Sequence, residues 1–193
     1  MSSTSAPFGL RPAFHPSGLD RAQALANGIA SAYASDILKG QPVKYNPSAG
    51  TIIPSTVGAA WSGAFAGVEW TDTTGRRRVS NYWPANTAYQ TGSCVAYFYN
   101  DANIVYEIQT DATIAQTSIG NEYNFSNITA GSNTTGLSAA TLGVSTAVGN
   151  GVQGDMRVVD IAPYPDNAWG DSYVIVRVVN ARSQFFGQFT AIA

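Results

Sequence analysis

Charge is scarce in this chain of 193 residues. Lys, Arg, Asp and Glu together make up 11%, less than half the usual share of about 25%. The net charge of −2 leaves no basic footprint for direct, sequence-independent nucleic-acid binding. There is one cysteine, Cys94, and one histidine, His15. A lone cysteine excludes an intrachain disulfide framework. One His and one distant Cys fall short of the three or four ligands of a structural zinc site. No stretch approaches the roughly 18 apolar residues that a membrane span needs. The opening MSSTSAPFGLRP has no charged leader followed by an apolar run, so no secretory signal is expected. These absences point to a protein made in a reducing cytoplasm, with no metal, no cofactor and no membrane or nucleic-acid partner.

Apolar residues are plentiful, at 45%. A domain of this size buries roughly 70% of the surface its unfolded chain exposes, so a core forms without covalent staples. Short apolar runs alternate with Gly, Asn and Pro turns, which predicts an all-β protein, an antiparallel β-sandwich or barrel. Residues 64–70 and 76–83 read as one hairpin through Thr73-Thr74-Gly75, and residues 93–99 and 103–110 as a second through Asn100-Asp101. Residues 41–45, 156–163 and 172–180 read as further strands, and residues 184–192 as an edge strand. Between residues 19 and 38 the pattern fits helix or strand, and the alternation from Ile29 onward favours strand. Asp111 is placed to cap one helical turn. The eight Phe, four Trp and ten Tyr are mostly core and cross-strand packing. A minority on one face would make an interface or a sugar platform.

Two segments break this rhythm. Residues 1–20 carry Pro7, Pro12 and Pro16 among Phe8, Leu10 and Phe14. Proline removes backbone donors and biases its preceding neighbour to extended conformations. The expectation is an extended N-terminal arm ahead of a single β domain, residues 21–193. Its contacts to a neighbour would be Phe8, Leu10, Arg11 and Phe14, and its removal would leave the domain folded. Residues 126–154 are rich in Asn, Ser, Thr and Gly and read as a long irregular loop on the surface, away from the core.

Chemistry-bearing motifs are few. A Ser-His-Asp arrangement would have to recruit His15 from the arm. Cys94 has no local positive charge to make a thiolate and reads as a small core residue. Gly149, Gly151 and Gly154 match G-x-G-x-x-G, but the β-like run that follows denies the helix a dinucleotide site needs. Glu69, Glu107, Asp111, Asp155 and Asp160 are carboxylates without a pairing pattern in sequence. Arg76, Arg77 and Arg78 form the one dense charge cluster. They read either as a contact with an acidic partner surface, for which guanidinium forks suit carboxylates, or as a solvated hairpin flank. No catalytic, cofactor-binding or metal residue is expected, and the protein is read as a non-enzyme.

Several stretches, in order, carry a resemblance: APFGLRPAFHPSGL, YASDILKGQPVKY, GAFAGVEWTDTTGRRRVSNYWPA, YEIQTDATIAQTSIGNEYNF, GLSAATL and MRVVDIAP. Together they resemble head-associated structural proteins of tailed phages, the capsid decoration or cement proteins. That resemblance implies a virion component on the capsid exterior. It further implies a partner in the major capsid protein and a homo-oligomer, with trimers favoured because shell lattices offer threefold sites. It brings no catalytic residue with it. The alternative reading is a carbohydrate- or receptor-binding module of the virion, which a groove of Trp and Tyr beside Asp and Asn would support.

Overall fold

The Val-rich runs at 156–161 and 175–180 pair with one face buried and the other turned outward, and they form the middle of one sheet. The computed structural model describes residues 4–17, 21–145, 147–149 and 151–185. In chain order the strands are β1 (Arg11–Phe14), β2 (Gln23–Ala26), β3 (Pro42–Asn46), β4 (Thr51–Pro54) and β5 (Gly63–Thr71). Then follow β6 (Arg77–Ser80), β7 (Val95–Tyr99), β8 (Val105–Gln109), β9 (Glu122–Ser126) and β10 (Gly131–Ser132). The last are β11 (Leu137–Ser138), β12 (Thr141–Gly143), β13 (Met156–Ile161) and β14 (Ile175–Asn180). One sheet has the order β1-β8-β14-β13-β9-β12, a second β2-β7-β5-β3-β4 with β6 also on β5, and β10 and β11 form a two-stranded ribbon. The ladders between strands are antiparallel. The protein is all-β in the manner of a sandwich, and neither sheet closes into a barrel.

Each sheet has its own apolar cluster. The first gathers Tyr106, Ile108, Val176, Val178, Met156, Val158, Phe125 and Leu142, one side of five of its six strands. The second gathers Phe65, Val68, Trp70, Ala96 and Phe98 under a lid of loop residues Ile29, Ile37 and Trp83. Strand β5 serves both: alternation along it sends Ala64 to the first cluster and Phe65 to the second. Trp61, fully buried, stands edge-on to Phe125 at 5.2 Å and tilted against Tyr106 at 6.0 Å.

The β5–β6 hairpin forms as the turn residues predict, with Trp70 opposite Arg78. The strands expected around residues 41–45, 156–163 and 172–180 are β3, β13 and β14. Four expectations are corrected. Segments 93–99 and 103–110 are not a hairpin: β7 pairs with β2 and β5, while β8 pairs with β1 and β14. The Asn100-Asp101 turn therefore carries the chain from one sheet to the other. All five residues of β8 are buried, which a central strand achieves and a two-stranded ribbon does not. The strand near Ile29 lies earlier, in β2. From Asn27 onward, left-handed conformations at Asn27 and Ala32 break the extended run. Asp111 caps nothing: its carboxylate accepts the Val144 N–H at 3.0 Å, and the short 3-10 turn (Gln116–Ser118) starts without a side-chain cap.

The fourth correction concerns the arm. Residues 11–14 are β1, an edge strand of the first sheet, with Arg11 opposite Glu107 and Phe14 opposite Val105. Pro12 is tolerated because an edge strand needs donors on one side only. Leu10 is 2% exposed and belongs to the first core cluster. Leu10 therefore packs chiefly inside its own subunit. The segment of residues 126–154 is also less detached than its composition implies. It supplies β12 to the first sheet, with Leu142 in the core, while residues 129–135 are exposed. The edge strand expected at residues 184–192 falls mostly outside the described residues.

Candidate partner-binding face

The outward face of the first sheet carries charge in two adjacent rows that together cross five strands. Directly opposed residues share a face, so the register aligns Arg11, Glu107 and Arg177 in one row and Glu122, Arg157 and Val179 in the next. Arg11 donates to Glu107 Oε2 at 2.6 Å, and the Tyr164 hydroxyl reaches the same oxygen at 2.6 Å. The Arg177 Nε lies 3.6 Å from Glu107 Oε1. Arg157 donates to Glu122 Oε1 at 2.6 and 3.2 Å, and the Gly154 N–H donates to Glu122 Oε2 at 2.7 Å. Aromatic rings lie over these cations. Arg11 sits 4.7 Å from the Phe8 centroid and 5.7 Å from that of Tyr164, and Arg177 sits 5.5 Å from that of Phe14. Phe14 and Tyr164 remain exposed.

Burial alone would raise the Glu107 carboxyl. The Tyr164 hydroxyl and Arg11, with Arg177 behind them, outweigh it and hold the group below the ordinary carboxylate range. The Tyr164 phenol is pushed up, first by its bond to Glu107 and then by burial. The cluster is a paired ionic network with an aromatic skin.

Beside β1 opens a cleft of about 390 Å³. Leu10 and Phe65 form its buried floor, Phe8, Tyr99 and Leu137 its walls, and Arg11 and Lys39 its polar margin. The margin is fixed by backbone. Lys39 N–H donates to Gly136 O at 2.9 Å, and Ser138 N–H donates to Lys39 O at 3.0 Å. Leu10 N–H donates to Gly40 O at 2.8 Å. A side chain at Gly9, whose φ is +72°, would place its Cβ 2.6 Å from Gly40 O, so only glycine permits this approach.

Of the residues the sequence singled out, Phe8, Arg11 and Phe14 meet on this face, while Leu10 lies beneath it. Arg76, Arg77 and Arg78 lie elsewhere, on the β5–β6 hairpin. Arg77 pairs with Glu69, and Arg78 donates to Asp72 Oδ2 at 2.9 Å. Asp72 is held well below its ordinary range, chiefly by the Thr74 hydroxyl and the Arg76 N–H. Two of the three guanidiniums are thus engaged inside the subunit, and of these three Arg76 alone has no carboxylate partner among the described residues. Lys39, Leu137, Glu122, Tyr164, Arg157 and Arg177 escaped notice in sequence. A single Arg within each of the runs MRVVDI and IVRVVN was the available signal, because alternation sends each of them outward.

The remaining candidates divide plainly. His15 Nε2 lies 3.0 Å from Asp101 Oδ2, and its Nδ1 meets both the Ser17 N–H at 3.0 Å and the Ser17 Oγ at 2.5 Å. A Ser-His-Asp contact therefore exists. The Ser17 hydroxyl shares the one ring lone pair with the N–H of the same residue, two positions along from His15, which makes the contact the closure of a turn. Cys94 is fully buried, and burial pushes its thiol up. Glu69, Glu107 and Asp111 each hold a different partner, as given above. Asp160 accepts the N–H of Ile161. Asp155 is fully buried, accepting N–H groups of Gly58 at 3.0 Å and Phe125 at 3.1 Å through Oδ2. Burial raises its pKa despite those bonds and the nearby Arg182. Trp61, Trp70 and Trp83 are buried core residues, so none of them forms an exposed platform. Among the described residues no three His, Cys, Asp or Glu gather as metal ligands would.

Fold and face together define an antiparallel all-β protein whose most developed surface feature is an aromatic and ionic sheet face flanked by a preformed cleft. No family model, no curated protein and no solved structure matches the chain.

Proposed function

We propose that this chain is a non-enzymatic structural protein of a tailed-phage particle, bound to the capsid exterior as a cement or decoration protein. Its partner is the major capsid protein, and it acts as a homo-oligomer, with a trimer favoured. The observation that carries the reading is the outward face of the first sheet. There Phe8, Phe14 and Tyr164 lie over guanidiniums already paired with Glu107. Such a face offers apolar area without lone charges to strip of water, and lone buried charges are what make docking costly. The scarcity of charge over the chain, 11%, fits a protein covered by neighbours. A standard specific interface of about 1,600 Å², repeated over a shell, adds up to large resistance against internal pressure.

The test is binding of purified protein to particles stripped of it, read as occupancy in reconstructed particles. Wild-type protein is expected to fill its sites and to delay heat-induced release of the packaged genome. Phe14→Asp is expected to weaken binding about tenfold, roughly 1.4 kcal/mol. Absence of wild-type binding overturns the assignment. Full binding by a Phe8→Asp, Phe14→Asp double variant overturns the choice of face.

A further inference from the structure

We infer that the cleft between β1 and the Lys39–Leu137 margin is a docking pocket for a short acidic segment of a partner protein, one that presents an aromatic or aliphatic side chain next to a carboxylate. Its volume of about 390 Å³ lies at the small end of ligand clefts, which run from about 300 to 1,000 Å³. That is room for one or two side chains. The floor and walls are apolar, with Leu10, Phe65, Phe8, Tyr99 and Leu137 turned to the space.

Charge selects the occupant. The lining holds two cations, Arg11 and Lys39, and no Asp or Glu. Arg11 is committed to Glu107, whereas the exposed Lys39 has no carboxylate partner among the described residues. An incoming carboxylate meets an unpaired ammonium at the rim, while its neighbouring side chain fills the apolar floor. The site is also built before the partner arrives. Lys39 is tied by two backbone hydrogen bonds to Gly136 and Ser138, on either side of Leu137, and Gly40 is bonded to Leu10 and, through its N–H at 2.7 Å, to the Phe65 carbonyl. A pocket already ordered loses little conformational freedom on binding. Leu137 is 41% exposed at the mouth, where a partner would cover it. The inference needs no capsid, although a shell protein is the partner that the proposed attachment supplies.

The experiment uses the full chain, isotopically labelled, with amide shifts followed as peptides are added. The probe is Ac-Asp-Phe-Asp-NH2, with Ac-Lys-Phe-Lys-NH2, Ac-Asp-Gly-Asp-NH2 and phenylacetate as controls. The expected result is saturable movement of the Lys39, Gly40, Leu137 and Ser138 amides with the acidic Phe peptide, and at least fivefold weaker binding by each control. Lys39→Glu, an exposed change that leaves the core untouched, is expected to weaken the acidic peptide about fivefold, roughly 1 kcal/mol at 1.4 kcal/mol per decade. No movement at these amides, or equal binding of the Lys peptide, overturns the pocket. Equal binding of phenylacetate overturns the protein segment in favour of a small carboxylate. Because no particle enters the assay, loss of capsid occupancy and loss of peptide binding are separately readable.

Discussion

Leu10→Ala separates a chain whose N-terminal segment is part of its own core from one whose segment is a loose anchor. Leu10 is 2% exposed among Tyr106, Ile108 and their neighbours. The substitution removes three carbon groups at about 0.8 kcal/mol each. The cavity left behind raises the total toward about 3 kcal/mol, within the 2–5 kcal/mol range of buried Leu→Ala changes. In a protein of this size each kcal/mol moves the melting midpoint by about 2–4 °C, so a fall of roughly 6–12 °C is expected. Phe14→Ala is the internal comparison. Its ring is 44% exposed, so the expected cost is below about 1 kcal/mol, or under roughly 4 °C. Both are read by calorimetry and by urea unfolding, where an unchanged slope shows that the same surface is exposed. A Leu10→Ala shift under about 2 °C, or one smaller than that of Phe14→Ala, would refute the argument. Deletion of residues 1–14 should cost more than Leu10→Ala, because it also removes the β1 ladder and the Arg11 bond to Glu107.

Gly9→Ala should destabilise by more than about 2 kcal/mol, measured by urea titration, since a left-handed backbone and a 2.6 Å clash with Gly40 O act together. Glu107→Gln reports on the ionic row. The Glu107 pKa lies below its ordinary 4.5, so the wild-type advantage is complete above that pH and fades as pH falls through the lowered value; an advantage that grows on acidification contradicts the pairing. Asp155 has the opposite sign. Its raised pKa means that the favourable, protonated contribution is complete below the ordinary 3.8 and is lost as pH rises through the folded value. Asp155→Asn should therefore gain on wild type with rising pH, and a pH-independent difference in unfolding free energy would refute this. Arg77→Glu breaks the pair with Glu69 at an exposed site, where solvent screens the attraction, so the urea midpoint should stay nearly unchanged and a large fall would contradict this.

Where the sequence read correctly, it did so through local chemistry. The Thr73-Thr74-Gly75 turn fixes the β5–β6 hairpin because it joins two segments adjacent in sequence. Alternating Val and Ile announce β13 and β14 regardless of partner. Misreadings arose where the partner was decided at a distance. Residues 93–110 look like a hairpin until β8 finds β1 and β14, nearly 100 and 70 residues away along the chain. Proline-rich residues 7–16 look detached because proline weakens regular structure, and nothing local says that an edge position next to β8 awaits them. The site was half legible. Phe8, Arg11 and Phe14 are conspicuous near the start, but Glu107, Tyr164 and Arg177 join them only through sheet register. Lys39 and Leu137 meet through a single parallel bridge, for which sequence has no signal.

The shared strand β5 has a mechanical consequence. Because β5 is hydrogen-bonded into the second sheet while its Ala64 packs into the first cluster, tension applied to one sheet reaches the other through side-chain packing along that strand. Trp61 lies just ahead of that strand, with its N–H bonded to the Arg182 carbonyl and its indole to the Asp155 carbonyl. It clamps both exits of the β13–β14 pair to the same point. A pull that separates the sheets loads both bonds at once, because they share one residue. The two halves are thus built to yield as a unit, as a rivet holds two plates until it fails.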